Sequence, residues 1–424
     1  MLFSRPESRK SETVKRAAGE IADMSFQTLD DLEDGQRVLI RFDLNSPVED
    51  GEVQDNRRFG RHAATLRELV ERDFAVAVLA HQGRPGDDDF VSLDQHAEIL
   101  AGHIDHDVDF VADTYGEEAL AAIDALEGGD VLVLENTRMA DGELPEEDPE
   151  VKAQTEFVQT LAPHFDAYIN DAYSAAHRSH ASLVGFPVAM DAAYAGRVME
   201  TEYEANTAIA EKEFDGQVTM AMGGTKATDV IAVIDHIGDK IDDFLLGGIA
   251  GQLFLRAQGY PIGYDVGDMD LFTTQWENNR DIIEDILDER GDQITVATDV
   301  AYAEDDERVE IDVDDVEEKG MGLMDIGTDT AEHYADVARE SDAVFVKGAL
   351  GVFEDEKFAT GTVTVLEAIA ETDCFSVVGG GDTSRAITMD GMSEDQFDHV
   401  SIAGGAYIRA LTGDELVGVE VLQR

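Results

Sequence analysis

The sequence has little of what marks secreted, membrane-spanning or nucleic-acid-binding proteins. It contains one cysteine, Cys374, so no disulfide can form within the chain, as expected for a reducing compartment. No apolar run approaches the roughly 20 residues that a transmembrane helix needs. Positive charge is scarce, because 31 lysines and arginines stand against 93 aspartates and glutamates. The resulting field repels polyanions, so we expect neither nucleic acid nor a membrane as a partner.

The acidic excess gives a formal net charge of −62 on 424 residues. Self-repulsion of this size destabilises a compact state at low ionic strength. In molar salt the Debye length falls to about 3 Å, and the repulsion is screened. We therefore interpret the composition as adaptation to a salt-rich cytoplasm, the alternative being a protein that is merely acidic. Hydrophobic residues make up 43% of the chain, which suffices for packed cores and excludes disorder of the whole chain.

Short apolar runs alternate with helical periodicity from residue 37 onward. Strands are predicted at 37–42, 74–80, 131–134, 167–170, 218–222, 243–246, 294–297, 343–346 and 375–378. Helices are predicted at 56–72, 93–102, 116–127, 150–163 and 196–211. All-apolar strands that alternate with helices are typical of parallel sheets covered on both faces. We therefore predict an α/β protein with two Rossmann-like lobes, each a parallel sheet covered by helices, joined by a helical hinge.

The predicted domain organisation follows from this alternation and from typical domain sizes. Residues 1–24 are comparatively basic and form a flexible extension, or they precede a true start at Met24. The remaining segments are a first lobe at 25–195, a hinge helix at 196–212, a second lobe at 213–405 and a tail at 406–424.

Cationic side chains follow the predicted strands of the first lobe. Residues at these strand ends include Arg41, Asp43, Asn45, Arg57, Arg58, His81, Arg84, Arg138, Asp171, His177, Arg178 and His180. Ligands of parallel sheets bind beyond the carboxyl ends of the strands. Because a guanidinium group can hold phosphate or carboxylate with two hydrogen bonds, this pattern predicts a site for a small, multiply anionic ligand. The alternative is that each arginine pairs with a local acid.

Glycine follows the strands of the second lobe instead. The glycine-rich turns contain Gly223 and Gly224, Gly247 and Gly248, Gly348 and Gly351, Gly380 and Gly381, and Gly404 and Gly405. Such turns let backbone amides approach an oxyanion, so their repetition indicates a nucleotide site, although P-loop and dinucleotide fingerprints are absent. Lys226 is suited to contact a transferring phosphoryl group, and Asp382 to hold Mg²⁺. The alternatives are a solvated lysine and a helix N-cap. Together the lobes have the plan of a small-molecule kinase.

These segments resemble the phosphoglycerate kinase family, in particular its haloarchaeal type, from about residue 26 to the C-terminus. In the first lobe the matching motifs are Arg41-Phe42-Asp43-Leu44-Asn45-Ser46-Pro47, His81-Gln82-Gly83-Arg84-Pro85, Glu135-Asn136-Thr137-Arg138, Asn170-Asp171-Ala172-Tyr173 and residues 177–182. In the second lobe they are Gly223-Gly224-Thr225-Lys226, Asp325-Ile326-Gly327, Gly351-Val352-Phe353-Glu354 and Gly380-Gly381-Asp382-Thr383. This many motifs in the family's order do not arise by chance.

The resemblance implies a kinase that transfers the γ-phosphoryl group of ATP reversibly to the carboxylate of 3-phosphoglycerate, giving ADP and 1,3-bisphosphoglycerate. It also implies hinge closure, a tail that returns toward the first lobe, and Mg²⁺ held by Asp382. We expect a monomer in the cytoplasm.

The site residues implied by the resemblance fall into two groups. Those around 3-phosphoglycerate are Asp43, Asn45, Arg58, His81, Arg84, Arg138 and Arg178, with Arg41 and His180 close by. Those around the nucleotide are Gly223, Gly224, Lys226, Gly247, Gly248, Glu354, Gly380, Gly381, Asp382 and Thr383. Arg58 and Lys226 are the implied catalytic residues.

Some positions depart from the family's pattern. Val230 stands where many relatives carry a second lysine, and Lys347-Gly348-Ala349 replaces Asn-Gly-Pro. Ile402, in the late glycine-rich turn, replaces a residue with a hydroxyl. We hypothesise that Lys347 supplies some of the lost positive charge. The alternatives to the main interpretation are a kinase for another phosphorylated carboxylic acid and a catalytically silent paralogue that binds a nucleotide or an anion.

We expect the free energy of unfolding to increase with KCl concentration up to the molar range, because salt screens the repulsion among acidic side chains. Urea unfolding at several KCl concentrations measures this. An uncharged osmolyte at matched osmolality separates charge screening from exclusion of the solute from the protein surface. Greatest stability at low salt would contradict the interpretation of salt adaptation.

Overall fold

The computed structural model describes residues 26–262, 269–316 and 322–423 of the chain. Of these residues, 26–204 and 414–423 belong to one compact unit and 205–413 to the other. The predicted basic extension at 1–24 lies outside the described residues. Within the described part of the chain, no helix is long and apolar enough to cross a membrane.

The first unit is built around a six-stranded sheet in which every pairing is parallel. The strands of the unit are β1 (Arg37–Arg41), β2 (Val48–Glu49), β3 (Glu52–Val53), β4 (Ala75–Leu79), β5 (Asp109–Phe110), β6 (Val131–Val133), β7 (Ala167–Asn170) and β8 (Ala193–Ala195). The sheet order is β5-β6-β4-β1-β7-β8, and β2 and β3 form a separate hairpin. The helices are α1 (Arg57–Glu71), α2 (Asp94–Ile104), α3 (Glu117–Asp124), α4 (Pro149–Lys152), α5 (Glu156–Leu161), α6 (Phe186–Ala189) and the beginning of α7 (Arg197–Glu211).

The central strands of this sheet are apolar on both faces, and helices cover each face. All five residues of β4 are buried. On one face, Phe59 and Leu66 of α1 share a core cluster with Val76. On the other face, Phe157 of α5 shares a cluster with Leu79. Burial on both faces explains why these strands read as continuous apolar runs in the sequence.

The second unit repeats this plan with a different accessory sheet. Its strands are β9 (Val218–Met222), β10 (Asp243–Leu246), β11 (Ile294–Thr295), β12 (Asp299–Glu304), β13 (Glu307–Asp312), β14 (Leu323–Ile326), β15 (Ala343–Lys347), β16 (Phe375–Gly379) and β17 (His399–Val400). Six form a parallel sheet in the order β11-β10-β9-β15-β16-β17, and three form an antiparallel sheet in the order β13-β12-β14. The helices are α8 (Ala227–Ile237), α9 (Gly248–Ala257), α10 (Met269–Arg290), α11 (Thr328–Glu340), α12 (Thr360–Ala370), α13 (Gly381–Met389) and α14 (Gly405–Leu411).

The predicted α/β class, with parallel sheets covered by helices, is confirmed. The antiparallel sheet was not predicted, because β12 and β13 carry many acidic side chains and lack an apolar run. Asp305 and Asp306 form the turn between them with positive φ angles of 49° and 65°, as tight hairpin turns require. The single helix predicted at 150–163 was wrong. The chain breaks it into α4 and α5, where the Thr155 side chain accepts the Val158 N–H (3.4 Å) and starts a new helix.

Helix α7 connects the two units covalently. The division between them falls between Glu204 and Ala205, inside this helix. The boundaries between the compact units fall after residues 204 and 413, whereas the predicted lobes end at 195 and 405. The predicted limits stay predictions.

The last described residues belong to the first unit and complete its core. Helix α15 (Val417–Glu420) is held by the Gly418 N–H, which donates to the Ala176 carbonyl (2.8 Å). The Gly418 carbonyl in turn accepts from the Asn170 side-chain amide (3.3 Å). Val421 is buried in an apolar cluster that includes Leu183.

Removal of residues 414–424 should therefore destabilise the first unit. Leu416, Val419, Val421 and Leu422 are all buried. Because each buried aliphatic side chain is worth about 1.5–3 kcal/mol, we expect the free energy of unfolding of this unit to fall by at least about 3 kcal/mol. The single tryptophan, Trp276, lies in the second unit, so tryptophan fluorescence in urea follows that unit, whereas far-UV circular dichroism follows both units.

The matched control for this deletion is Gln423→Ala, since Gln423 is exposed in the same segment. Equal unfolding midpoints for the truncated and full-length chains would show that the tail contributes nothing to the core.

Candidate active site

The sequence-predicted anion-binding residues of the first unit lie at one edge of its sheet. Asp43 follows β1, His81 follows β4, Arg138 follows β6 and Arg178 follows β7. These strands are neighbours in the order β6-β4-β1-β7 and run parallel, so their carboxyl ends share an edge. The fold thus brings together residues that are far apart in the sequence.

Arg58 is fixed at the beginning of helix α1 by two sets of contacts. The Asn56 side chain caps the helix by accepting the Arg58 N–H (2.9 Å). The Arg58 guanidinium donates to Asp43 Oδ2 (2.7 Å) and to the Asn45 carbonyl (3.2 Å). Burial raises the pKa of Asp43, but Arg58, the Ser174 hydroxyl and Arg41 outweigh burial and hold that pKa well below its usual range. Asp43 is therefore ionised and orients Arg58.

His81 is held as a neutral hydrogen-bond donor. Arg41, which is 1% exposed, donates from Nη2 to His81 Nδ1 (2.9 Å). Because a guanidinium group cannot accept, the ring proton of His81 lies on Nε2. Burial and the positive charge of Arg41 lower the pKa of His81 well below its usual value. Beside it, Asn45 Oδ1 accepts the N–H of Gly83 (2.9 Å) and so fixes the turn after β4.

Arginine side chains gather closely enough in this unit to repel one another. Burial lowers the pKa of Arg138 to about 10, with further lowering by the charges of Arg41, Arg178 and Arg84. Arg138 Nη1 donates to the Gly83 carbonyl. Arg84 is exposed, and Arg178, half-buried, lies 4.0 Å from a carboxylate oxygen of Glu146. Among the described residues, acids pair with only part of this cationic cluster, and the remaining positive charge is available to an anion.

A buried glutamate that the sequence analysis missed is connected to the arginine cluster through Ser182. Glu143 accepts the Ser182 hydroxyl (2.6 Å) and the Ser182 N–H (2.7 Å), and the same hydroxyl accepts from Arg41 Nε (3.0 Å). Burial raises the pKa of Glu143, and Arg41 opposes that effect. His180 lies 3.9 Å from Glu143, and burial together with Arg138 lowers the pKa of His180 to about 3. In so acidic a chain, no local signal distinguishes Glu143 from the surface acids around it.

The five glycine-rich turns of the second unit follow five neighbouring strands, β10, β9, β15, β16 and β17. The N–H groups of Gly223 and Gly224 donate to the carbonyls of Lys347 (2.9 Å) and Ala349 (2.7 Å). A Cβ on Gly223 would lie 2.0 Å from the Ala349 oxygen, so only glycine fits there. Gly248 has a φ of +56°, and a Cβ on it would lie 2.7 Å from Gly224 N. These glycines therefore shape the edge by close backbone packing, since their amides are already hydrogen-bonded.

Lys226 is exposed at the start of α8, on a loop fixed by a residue the sequence analysis missed. Gln275 of helix α10 accepts the Ala227 N–H (2.6 Å) and donates to the Thr225 carbonyl (2.5 Å). Both backbone neighbours of Lys226 are thus held by one side chain, which limits where the lysine can reach.

The hypothesis about Lys347 concerns a charge beside position 230. Val230 is fully buried in α8, so its side chain belongs to the core. Lys347, at the end of β15, places its ammonium group 3.1 Å from Asp229, the residue before Val230. A positive charge is therefore present next to the position where the second lysine is missing, although Asp229 partly neutralises it.

Helix α13 presents its N-terminus at the same edge. Its N-cap is Gly380, with a φ of +100°, and the first N–H groups of a helix have no acceptor within it. Asp382 is exposed in the first turn, so it is not the N-cap. The buried Thr383 hydroxyl has no hydrogen-bond partner among the described residues. Glu354 is exposed on the loop after β15.

The described residues contain no cluster of three or more His, Cys, Asp or Glu side chains suited to a metal ion. Asp382 alone nevertheless fits Mg²⁺, since this ion is commonly held by one or two carboxylates together with substrate phosphates and water.

An apolar cleft opens beside Gly247 and Gly248. It is lined by Leu255, Val300, Leu323 and Leu350, among other residues, and it also touches Asp325. Burial raises the pKa of Asp325 to about 6, although Arg308 lies 2.9 Å away. A flat, largely apolar group fits such a cleft better than a charged one.

The chain matches the family model described as phosphoglycerate kinase over residues 29–414. It is 74% identical to the phosphoglycerate kinase of Haloarcula marismortui over 401 residues, covering 95% of this chain and 100% of that protein. It is 41% identical to the phosphoglycerate kinase of Methanopyrus kandleri, covering 94% and 97% of the two chains.

A solved structure shows the same likeness. The crystal structure of phosphoglycerate kinase from Pyrococcus horikoshii OT3 matches with a TM-score of 0.86 at 32% identity, covering 94% of this chain and 98% of that chain. Sequence and fold agree over nearly the whole length, and the chain therefore belongs to the phosphoglycerate kinase family.

Proposed function

We propose that this protein catalyses the reversible transfer of the γ-phosphoryl group of ATP to the carboxylate of 3-phosphoglycerate, giving ADP and 1,3-bisphosphoglycerate. The family supports a phosphotransferase, and the two sheet edges supply the chemistry that the two substrates need. A coupled assay in molar KCl with ATP, Mg²⁺ and 3-phosphoglycerate tests the proposal. Turnover with another phosphorylated carboxylic acid but not with 3-phosphoglycerate would overturn it.

The cluster of mutually repelling arginines is the observation that carries the proposal. In a molecule with a net charge of −62, Arg138 is buried close enough to Arg41, Arg84 and Arg178 for their charges to lower its pKa. Such an arrangement is unfavourable by itself and becomes favourable when a multiply charged anion binds. 3-Phosphoglycerate carries both a phosphate and a carboxylate, and so it offers several acceptor oxygens to these donors.

In the proposed 3-phosphoglycerate half-site, the residues have different tasks. Arg84, Arg138 and Arg178 neutralise the substrate, and His81 donates from Nε2. Asn45 and Asp43 shape the site, and Asp43 also aims Arg58. The acceptor carboxylate is already ionised near neutral pH, so the reaction needs no general base.

In the proposed nucleotide half-site, the apolar cleft beside Gly247 and Gly248 receives the adenine ring. Glu354 approaches the ribose, and the N-terminus of α13, with Gly380 and Gly381, faces phosphate oxygens. Thr383 lies buried in the same turn, and its hydroxyl has no hydrogen-bond partner among the described residues. Asp382 would hold Mg²⁺, which when bound neutralises phosphate charge. Gly223 and Gly224 keep the loop of Lys226 close to the edge.

Phosphoryl transfer is catalysed mainly by positioning and by compensation of charge. Arg58 and Lys226 are the proposed catalytic residues, because each supplies a positive charge where negative groups meet in line. The two substrates must meet for transfer, so the proposal includes closure of the units about helix α7. We also propose that the enzyme works as a monomer in a salt-rich cytoplasm. A silent paralogue is not favoured, since Arg58, Lys226 and Asp382 are all present.

Replacement of Arg58 tests its catalytic role. We expect Arg58→Ala to lower kcat by about 100- to 1,000-fold, the usual loss when a donor to transition-state charge is removed. Arg67→Ala is the matched control, because Arg67 lies on the same helix, is exposed and carries the same charge. Steady-state kinetics and circular dichroism of both variants measure turnover and folding. Near-normal turnover of Arg58→Ala would contradict the assigned role.

Replacement of Lys347 tests whether it substitutes for the missing second lysine. We expect Lys347→Ala to raise KM for ATP or to lower kcat by roughly tenfold, because a charge-assisted contact is lost. KM for 3-phosphoglycerate should not change. Lys240→Ala removes the same charge from an exposed position of the second unit and should have no effect. Unchanged ATP kinetics in Lys347→Ala would refute the substitution.

A further inference from the structure

A buried histidine–aspartate pair lies next to Asp43 of the proposed 3-phosphoglycerate half-site. His62, on helix α1, and Asp171, directly after β7, have side chains that are 1% and 0% exposed. His62 Nδ1 lies 3.0 Å from Asp171 Oδ2. The proposed chemistry leaves both residues without a task.

The hydrogen bonds of His62 determine which ring nitrogen carries the proton. The Asp43 backbone N–H donates to His62 Nε2 (3.3 Å), so Nε2 is an acceptor. The proton therefore lies on Nδ1, which donates to Asp171. This is the opposite tautomer to that of His81, and it depends on a carboxylate at position 171.

The other oxygen of Asp171 holds the beginning of the connecting helix. Asp171 Oδ1 accepts the N–H groups of Val198 (2.7 Å) and Met199 (3.2 Å), in the first turn of α7. These groups have no acceptor within the helix, and a carboxylate is favourable at a helix N-terminus. Gly196 makes room for the contact, since a Cβ there would lie 2.2 Å from Asp171 Oδ1.

A continuous series of contacts thus runs from Arg58 through Asp43, His62 and Asp171 to helix α7. We propose that His62 and Asp171 are positioning residues for the 3-phosphoglycerate half-site, and that they couple its occupation to the N-terminus of the connecting helix. The inference rests on the proposed function. A shift of Asp43 when the substrate engages Arg58 changes the His62 contact, and Asp171 transmits the change to α7.

Asp171→Asn tests the positioning role with almost no change in shape. The two N–H groups of α7 require an oxygen, so the new amide N–H₂ faces His62. The His62 ring must then accept at Nδ1 and carry its proton on Nε2, where it meets the Asp43 N–H, another donor. We expect KM for 3-phosphoglycerate to rise about tenfold through loss of this buried hydrogen bond, while KM for ATP stays unchanged.

The matched control is Thr65→Val, on the same helix. Thr65 is fully buried, and its hydroxyl has no hydrogen-bond partner among the described residues. This variant changes a buried polar group beside His62 without touching the contacts at issue, and its kinetics should equal those of the wild type. The ¹⁵N shifts of the His62 ring should report Nδ1–H in the wild type and in Thr65→Val, and Nε2–H in Asp171→Asn.

The outcomes separate this inference from the proposed function. A wild-type protein that does not phosphorylate 3-phosphoglycerate refutes the function. An active wild type, with Asp171→Asn matching Thr65→Val in KM or keeping the Nδ1–H tautomer, refutes the positioning role.

Hydrogen exchange on the wild type tests the coupling without any variant, should Asp171→Asn fail to fold. We expect 3-phosphoglycerate to slow exchange of the Val198 and Met199 amides as well as that of Asp43. Slowing at Asp43 with no change at Val198 and Met199 would overturn the coupling.

Discussion

The repulsion among buried guanidinium groups is the constraint on which the first unit's site depends. Arg41 and Arg138 lie close together with little exposure to water, an arrangement that the fold must hold in place. Asp43 and Glu143 compensate part of the charge. Complete neutralisation by protein acids would leave nothing to attract a ligand, and no neutralisation would destabilise the unit. The incomplete balance leaves a local excess of positive charge in a molecule whose net charge is −62.

The neutral imidazoles of His81 and His62 contribute hydrogen bonds of fixed direction to this balance without adding charge. His81 accepts from an arginine and keeps its proton on Nε2, whereas His62 accepts from a backbone amide and donates its proton to a carboxylate. Each tautomer is set by a partner that can only donate a hydrogen bond. This partner is the Arg41 guanidinium for His81 and the Asp43 backbone N–H for His62. The positions of the side chains at the site therefore depend on which atoms donate and which accept hydrogen bonds, as well as on net charge.

Sequence reasoning found the residues that follow strands, because the carboxyl ends of parallel strands meet at one edge of the sheet, where the candidate site lies. Arg58, His81 and Lys226 are of this kind. It did not find Glu143, Gln275 or the pairing of His62 with Asp171. Their partners lie 39, 48 and 109 residues away, and no local pattern marks them. It also missed the antiparallel sheet of the second unit, where acidic residues replace the apolar alternation that identifies strands.

The return of the C-terminal segment to the first unit has a consequence for biosynthesis. The ribosome makes residues 26–204 before the second unit, yet Val421, which completes the cluster beside Leu183, is made after the second unit. The second unit, 205–413, can close its own core before that happens. The first unit therefore keeps part of its apolar surface uncovered until residues 414–423 have been made.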